Sequence, residues 1–258
     1  MSLILCERNK AVTIIRLNRP EKFNAFSAAM SDDLFALLDL LQQQQDLRVV
    51  ILTGAGERAF SAGTDIAELD GLTEAEALEL SARGQQLCER IESFPVPVIA
   101  AVNGVAAGGG CELALACHLR VASKLATFSL PETKLGIIPA YGGTQRLPRD
   151  IGVARALEAM LAGKVIDAQS AFNFGLINRL VEPHQLMSET VSLANEIASL
   201  APLAVRACLK AVSEGLELPL EDGLRLEREL FASLFTTEDA HEGTRAFLEK
   251  RAPEFKGR

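Results

Sequence analysis

The chain has 258 residues, of which 48% are hydrophobic and 23% are charged, and its formal net charge is −8. This length and apolar content suffice for one substantial buried core, and the charged fraction is that of a globular protein rather than a disordered one. The acidic balance and the lack of a long basic run argue against nucleic acid or an anionic membrane surface as the main partner. A phosphorylated small ligand stays compatible with these numbers.

Targeting and redox signals are sparse. The first residues turn polar by Glu7, so no secretory signal is predicted, and no apolar run approaches the ~18 residues of a membrane span. Five scattered cysteines form no CxxC pair, which favours reduced thiols in a cytoplasmic protein. Cys117 and His118 are adjacent, but one neighbouring pair lacks the spacing of a metal site, so no metal is expected.

Strands and helices alternate over the first half of the chain. Periodicity and turn residues predict a hairpin of strands at 3–8 and 12–18, a helix at 30–42, a strand at 48–54, a helix at 73–94, a strand at 97–104, a short helix at 109–117, and short strands at 119–123 and 126–130. The run at 48–54 is β-branched throughout, as in a strand covered on both faces. Thr73 and Glu76 form a capping-box pair.

From about residue 143 the pattern becomes mostly helical, with one short strand near 178–183. The last ~60 residues carry three helical patterns with no strand between them. This order predicts an α/β fold with a catalytic core over residues 1–197 and a C-terminal helical unit over 198–258.

The stretch AGGGCELALAC at 107–117 places Glu112 in the first turn of a small-residue helix. Backbone N–H groups at a helix start have no partner within the helix, and the glycines allow a ligand to approach them closely. The N–H of Gly109 is therefore a candidate donor to a developing negative oxygen. The structural alternative is a tight turn in which Glu112 only complements the helix dipole.

Two further stretches carry polar groups in small or apolar surroundings. RAFSAGTDIAEL at 58–69 contains the segment 61–64, whose small residues are expected to offer free backbone N–H groups. FSLPETKLGIIPAYGGTQRLP at 128–148 places Glu132 directly after a proline. Its apolar neighbours predict a carboxyl pKa raised by desolvation, and the alternative is an exposed loop glutamate.

Together, these stretches resemble the crotonase family, also called the enoyl-CoA hydratase/isomerase superfamily. The resemblance begins at LNRPEKFNAFS (17–27), passes through the three stretches above and ends at EGTRAFLEKRAPEFKGR (242–258). It is most similar to the bacterial-type 2-enoyl-CoA hydratases of that superfamily. The resemblance implies a spiral of ββα units, and a homotrimer or dimer of trimers.

The resemblance also implies the site. The backbone N–H groups of Thr64 and Gly109 match an oxyanion hole for the thioester carbonyl, and Glu112 and Glu132 match two catalytic glutamates. Members with both carboxylates hydrate 2-enoyl-CoA to 3-hydroxyacyl-CoA. In those members the glutamate that matches Glu112 helps to activate water, and the glutamate that matches Glu132 handles the proton at C2. Coenzyme A is part of the substrate, so no separate cofactor is expected.

Coenzyme A contacts follow from the same resemblance. The candidates are Lys22, Ala25, Ala62, Asp65 and Ile66, together with the C-terminal basic residues Lys250, Arg251 and Lys256. A charged, solvated tail is the structural alternative for the C-terminal residues.

Three residues depart from the common family pattern. Ala140 stands where many members have glycine, which costs about 1 kcal/mol if that backbone needs positive φ. Thr64 replaces a common alanine, but only its N–H is needed. His118 stands where an aspartate often follows the cysteine, and a structural histidine is the favoured interpretation.

Other function classes fit less well. GAGERA at 54–59 matches a weak dinucleotide-binding pattern but lacks the βαβ context. AFSAG at 59–63 approaches a serine-hydrolase elbow, with His184 or His241 as partners, but a polar loop rather than a strand is predicted before Ser61. A non-catalytic, RNA-binding member would need a basic face. An enoyl-CoA isomerase usually needs only the carboxylate matching Glu132.

Overall fold

The computed structural model describes residues 2–258; Met1, part of the predicted 1–197 core, lies outside the described residues. Ten strands form two sheets. The larger sheet has the order β1 (Ile4–Asn9), β2 (Val12–Leu17), β3 (Val49–Gly54), β5 (Val98–Val102), β7 (Leu119–Ser123) and β10 (Arg179–Val181). The smaller has the order β4 (Ala59–Ser61), β6 (Val105–Ala107), β8 (Thr127–Ser129) and β9 (Ile166–Asp167).

Within the described part of the chain, ten α-helices connect and cover these sheets. In chain order they are α1 (Ala28–Gln42), α2 (Glu74–Glu92), α3 (Gly109–Ala116), α4 (Gly143–Ile151), α5 (Val153–Leu161), α6 (Ala168–Asn173), α7 (Leu186–Ala198), α8 (Pro202–Gly215), α9 (Leu220–Leu234) and α10 (Glu238–Glu249). The first strand pair is an antiparallel hairpin, as predicted. The remaining pairs of the larger sheet are parallel.

A ββα unit repeats along the core. β3 joins the larger sheet, β4 joins the smaller one and α2 follows; β5, β6 and α3 repeat the pattern, and β7 and β8 begin it again. Like members of successive units pair in parallel within each sheet. The predicted α/β spiral of ββα units is therefore confirmed.

The main core lies on one face of the larger sheet, and a second apolar cluster joins its other face to α7. All six residues of β3 are buried, because α7 covers the face that the main core does not. This confirms the two-sided burial that the β-branched run predicts. The Thr73–Glu76 capping box at the start of α2 is also present.

Three strands were missed by the sequence patterns: β4, β6 and β9, all in the smaller sheet. Each is only two or three residues long, which is too short to display a period of two. The C-terminal unit is helical as predicted, and the expected boundary at 197/198 falls at the last residue of α7. α8 and α9 contain no buried residue. No helix within residues 2–258 is both long and apolar enough to cross a bilayer.

Candidate active site

The site forms where the first two ββα units meet. Gly63, just after β4, has φ +88°, and a Cβ on it would lie 2.6 Å from Ala107 O and 2.8 Å from the amide nitrogen of Gly109. Only glycine fits both the left-handed backbone and this close approach. The turn at 61–64 is thus held against the start of α3.

The backbone N–H groups of Thr64 and Gly109 at this junction have no acceptor within residues 2–258, and the same holds for those of Gly110 and Cys111, which follow in the first turn of α3. The expectation that the whole segment 61–64 offers free N–H groups was wrong, because Ala62 N–H donates to Phe23 O at 2.9 Å and Gly63 N–H donates to Ser61 Oγ at 3.1 Å. Gly109 is the first residue of α3, so the helix dipole adds positive potential there.

Glu112 lies one turn into α3, and it is 2% exposed. Its Oε1 accepts hydrogen bonds from the amides of Tyr141 at 2.8 Å and Gly143 at 2.7 Å. Burial raises the pKa of this carboxyl, whereas the two amide donors and the nearby Arg146 oppose the rise by stabilising the anion. Glu112 is therefore a buried carboxylate whose charged form has partners.

Glu132 lies in a 3₁₀ turn (Glu132–Leu135) after β8 and is half-buried rather than an exposed loop residue. Its Oε2 is buried and has no hydrogen-bond partner among the described residues. Desolvation, with a smaller contribution from the charge of Glu112, raises the pKa of this carboxyl to about 7. The predicted upward shift is confirmed.

These groups line one cavity of about 100 Å³. Its wall includes the predicted Ala62, Thr64, Ile66, Gly109, Glu112 and Glu132, and its apolar lining includes Leu69, Leu80, Leu135, Ile137, Ile138 and Tyr141. The position of a Cβ on Gly108 would lie 3.1 Å from Glu132 Oε1, so this carboxyl faces the start of α3. Two acids and two amide donors thus share one mostly apolar space.

Other predicted contact residues lie around this cavity or away from it. Asp65 is paired with Arg19 at 3.0 Å, Ala25 is buried nearby and Lys22 is exposed. Lys250 and Lys256 belong to the C-terminal unit and do not line the cavity within this chain.

Arg251, the third basic residue of that group, is held by Glu242 and Glu249 at 2.6 Å and 2.7 Å. Its guanidinium is therefore engaged within the C-terminal unit. A phosphate contact by this residue would require these two ion pairs to open.

The departures at Ala140 and His118 have structural explanations. Ala140 is not among the residues with positive φ, so alanine carries no backbone penalty there. His118 Nδ1 accepts from Val98 N–H at 2.9 Å, and Nε2 donates to Glu92 O at 3.1 Å. Burial lowers the pKa of His118. It is a structural, hydrogen-bonded histidine, as favoured from sequence.

The serine-elbow alternative fails for a different reason from the one expected. A strand, β4, does precede Ser61, so the predicted polar loop was wrong there. The hydroxyl of Ser61 is nevertheless fully buried and donates to Asn24 O at 2.8 Å. His184 and His241 are exposed in distant helical turns and take no part in this contact. After β3, residues 55–58 form a loop rather than a helix, which also removes the dinucleotide-binding alternative.

Within residues 2–258 no group of three or more His, Cys, Asp or Glu side chains is arranged to hold a metal ion. The five cysteines are free thiols, and Cys88, Cys111 and Cys117 are buried. Burial raises the pKa of the Cys117 thiol to about 12. These thiols are packing groups rather than nucleophiles.

Comparison with known proteins decides the family. The family model described as enoyl-CoA hydratase/isomerase matches residues 7–258. This chain belongs to the enoyl-CoA hydratase/isomerase family. It is similar to the short-chain-enoyl-CoA hydratase of Clostridium acetobutylicum (39% identical, covering 99% of this chain and 98% of that protein) and to the crotonyl-CoA hydratase of Syntrophomonas wolfei (40% identical, covering 98% and 97%).

A solved structure gives the same result for the enoyl-CoA hydratase/isomerase fold. The crystal structure of enoyl-CoA hydratase from Bacillus anthracis matches this chain with a TM-score of 0.97 and 42% identity, covering 100% of both chains. The chain is therefore an enzyme of this family with its fold. The resemblance stated from the sequence motifs is confirmed.

Sequence reasoning did not single out three residues that shape the site. Tyr141 and Leu80 line the cavity, and Arg146 donates to Tyr141 O at 3.0 Å while pairing with Glu92 at 2.7 Å. These residues reach the site through contacts between segments that are distant in sequence, and periodicity along the chain does not reveal such contacts.

Proposed function

We propose that this enzyme hydrates a 2-enoyl-CoA thioester to the 3-hydroxyacyl-CoA. The observation that carries the proposal is the unequal environment of two acids in one cavity. Glu112 has two amide donors on its carboxylate, whereas Glu132 has a buried oxygen with no partner and a pKa raised to about 7. Carboxyl groups in unlike environments can act as base and acid in one reaction.

The oxyanion hole supplies the electrostatic part of catalysis. Addition of water at C3 of a conjugated thioester moves negative charge onto the carbonyl oxygen. The N–H groups of Thr64 and Gly109 have no internal acceptor, and they are fixed by backbone geometry before substrate arrives. Donors of this kind are each worth about 3–4 kcal/mol of transition-state stabilisation.

The two glutamates divide the proton transfers. Glu112 accepts a proton from the attacking water as the C3–O bond forms, and its amide partners stabilise the carboxylate needed for this role. Glu132, held protonated by its desolvated position, donates a proton to C2 as the enolate collapses. Hydroxide and proton are thereby added across the double bond, and no further cofactor is needed.

Coenzyme A binding extends this proposal beyond the cavity. Ala62 and Ile66 line the cavity mouth, and Lys22 is an exposed cation close in sequence to buried Ala25. These residues, with Asp65, are proposed to line the path of the coenzyme. Lys250 and Lys256 are proposed to reach a phosphate from the C-terminal unit.

A homo-oligomer is part of the same proposal. α8 and α9 bury no residue within the chain, and several of their large apolar side chains are exposed. Exposed residues on these helices or directly after them include Val212, Leu216, Leu220, Phe231 and Phe235. Faces of this kind are normally covered by another subunit. The family resemblance favours a trimer or a dimer of trimers, which light scattering after size exclusion would measure.

The test is a steady-state panel of 2-enoyl-CoA and 3-enoyl-CoA thioesters on the wild type, Glu112→Gln and Glu132→Gln. We expect hydration to fall by about 10²–10⁴-fold in either variant, the range for removal of a general acid or base, while coenzyme A binding persists. Glu7→Gln is the matched control, because Glu7 is an exposed residue of β1 that does not line the cavity. Near wild-type hydration by Glu112→Gln would contradict the two-carboxylate mechanism. Preferential turnover of 3-enoyl substrates that needs only Glu132 would assign the isomerase instead.

A cytoplasmic location, which the free cysteines favour, stays a prediction.

A further inference from the structure

The active-site cavity has a neighbour. A second cavity of about 140 Å³ lies beside the start of α1 and along α2. Thr64, Leu80 and Tyr141 line both cavities. These three side chains are therefore the partition between the two spaces.

Tyr141 is held firmly in this partition. Its hydroxyl accepts a hydrogen bond of 2.8 Å from Thr64 Oγ1, and the residue is 9% exposed. Its ring packs against two glycines: a Cβ on Gly84 of α2 would lie 1.9 Å from its Cδ1, and one on Gly109 would lie 2.9 Å from its Cε2. The ring thus occupies the space of a missing side chain on each side, and it cannot swing away without losing the bond to Thr64.

The space on the catalytic side is small. The cavity lined by the two acids and the two amide donors has a volume of about 100 Å³. The thioester carbon, oxygen and sulfur and the attacking water take part of this room. Only a short acyl chain fits in what is left.

We propose that Thr64, Leu80 and Tyr141 form the closed end of the acyl cavity and restrict the enzyme to short 2-enoyl chains. This inference rests on the proposed function, because it names the substrate class of that same site. The second cavity, beyond the partition, is lined in part by the apolar residues Phe26, Ala28 and Gly84. The charged residues Glu68, Glu76, Glu79 and Arg83 also line this second cavity. An opened partition would therefore admit a longer apolar chain into a space that leads toward solvent.

The experiment compares kcat/KM for crotonyl-CoA and 2-decenoyl-CoA, followed by the loss of conjugated-thioester absorbance. The wild type is expected to favour crotonyl-CoA. Leu80→Ala and Tyr141→Ala each remove part of the partition, and each should raise the decenoyl-to-crotonyl ratio by about tenfold or more, the range for a few methylenes in an apolar pocket. Tyr141→Phe keeps the ring and loses only the bond to Thr64, so its ratio should move less than that of Tyr141→Ala.

Leu78→Ala is the matched control: it is the same substitution on the same helix at a residue that is 73% exposed and lines neither cavity. It should leave the ratio unchanged. A wild type that prefers 2-decenoyl-CoA would overturn the proposal. So would an unchanged ratio in Leu80→Ala, a variant that keeps every catalytic group even if Tyr141→Ala fails to fold.

Binding separates this inference from the proposed function. Calorimetric titration with the saturated thioesters butyryl-CoA and decanoyl-CoA needs no hydration. Tighter decanoyl-CoA binding by Leu80→Ala, with butyryl-CoA unchanged, supports the partition even if no variant hydrates any substrate, a result that would defeat only the proposed reaction. Equal affinities for decanoyl-CoA in wild type and Leu80→Ala would defeat the partition, even in an active hydratase.

Discussion

The amide nitrogen of Gly143 lies 2.7 Å from Oε1 of Glu112 and donates a hydrogen bond to it. Space at this contact is limited, because a Cβ on Gly143 would lie 2.9 Å from both Cγ and Oε1 of Glu112. Gly143 is also the first residue of α4, so the positive end of that helix faces the carboxylate. The loop before α4 therefore fixes both the position and the charge of the proposed base.

Gly143→Ala should displace the Glu112 carboxylate and lower kcat by about 10²-fold, because misplacement of a reacting group by about 1 Å has that effect. Coenzyme A affinity should change little, since Gly143 does not line the cavity. Gly215→Ala is the control: a Cβ there meets nothing closer than 3.9 Å. A normal kcat in Gly143→Ala, measured with crotonyl-CoA, would show that Glu112 tolerates movement.

The pH profile of kcat/KM should fall on its alkaline side near pH 7. In the proposed mechanism Glu132 acts in its protonated form, and desolvation raises the pKa of this carboxyl to about 7 in the free enzyme. Above that pH the rate should decline about tenfold for each pH unit. The residual activity of Glu132→Gln should lack this decline. A wild-type profile that stays flat well above neutrality would contradict the role of Glu132 as the acid.

Glu132→Gln should stabilise the protein at neutral and alkaline pH. The carboxyl has an ordinary pKa of 4.5 in the unfolded chain and a pKa of about 7 in the folded one, so the folded state loses stability as the pH rises between these values. The shift corresponds to about 3 kcal/mol, which partial solvation reduces to about 1–3 kcal/mol. Urea unfolding at about pH 4 and about pH 8 measures this difference. An equal difference at both pH values would contradict the linkage.

Arg120 secures the far end of α3. Its guanidinium donates to the carbonyl oxygens of Ala114, Leu115, Cys117 and Leu176 and pairs with Asp150 at 3.1 Å. Arg120→Met should cost about 3–5 kcal/mol in the free energy of unfolding, because carbonyls at the helix end lose their donor and Asp150 loses its partner. Arg149→Met, an exposed arginine on α4, should change it by less than about 0.5 kcal/mol. Equal urea midpoints for the two variants would show that Arg120 adds nothing specific.

Elements with a complete local sequence signature were predictable, whereas elements that depend on long-range contacts were not. β3 and α2 were found because a β-branched run and a capping box each leave a complete local signature. Three strands of the smaller sheet, β4, β6 and β9, were not found, because two or three residues carry no period. Their existence depends on pairing with strands from other units of the spiral.

The candidate site likewise combines residues that a local pattern predicts with residues that depend on long-range contacts. Glu112 and the N–H of Gly109 were recognisable because they stand beside glycines at a helix start, and family resemblance supplied Thr64 and the catalytic roles. The carboxyl of Glu132 faces the start of α3, a contact between segments that belong to different ββα units. The Thr64–Tyr141 bond joins residues 77 positions apart, and no motif connects them.

The donors proposed to bind the thioester oxygen belong to the main chain, whereas the two proposed acid–base groups are side chains. A point mutation can replace Glu112 or Glu132, but it cannot delete the amide of Thr64 or Gly109 except by introducing proline. Most point mutations therefore leave the proposed oxyanion hole intact, whereas a single substitution can remove either proposed proton-transfer group. A scaffold built this way can acquire new reactions on the same class of intermediate without first losing its hold on it.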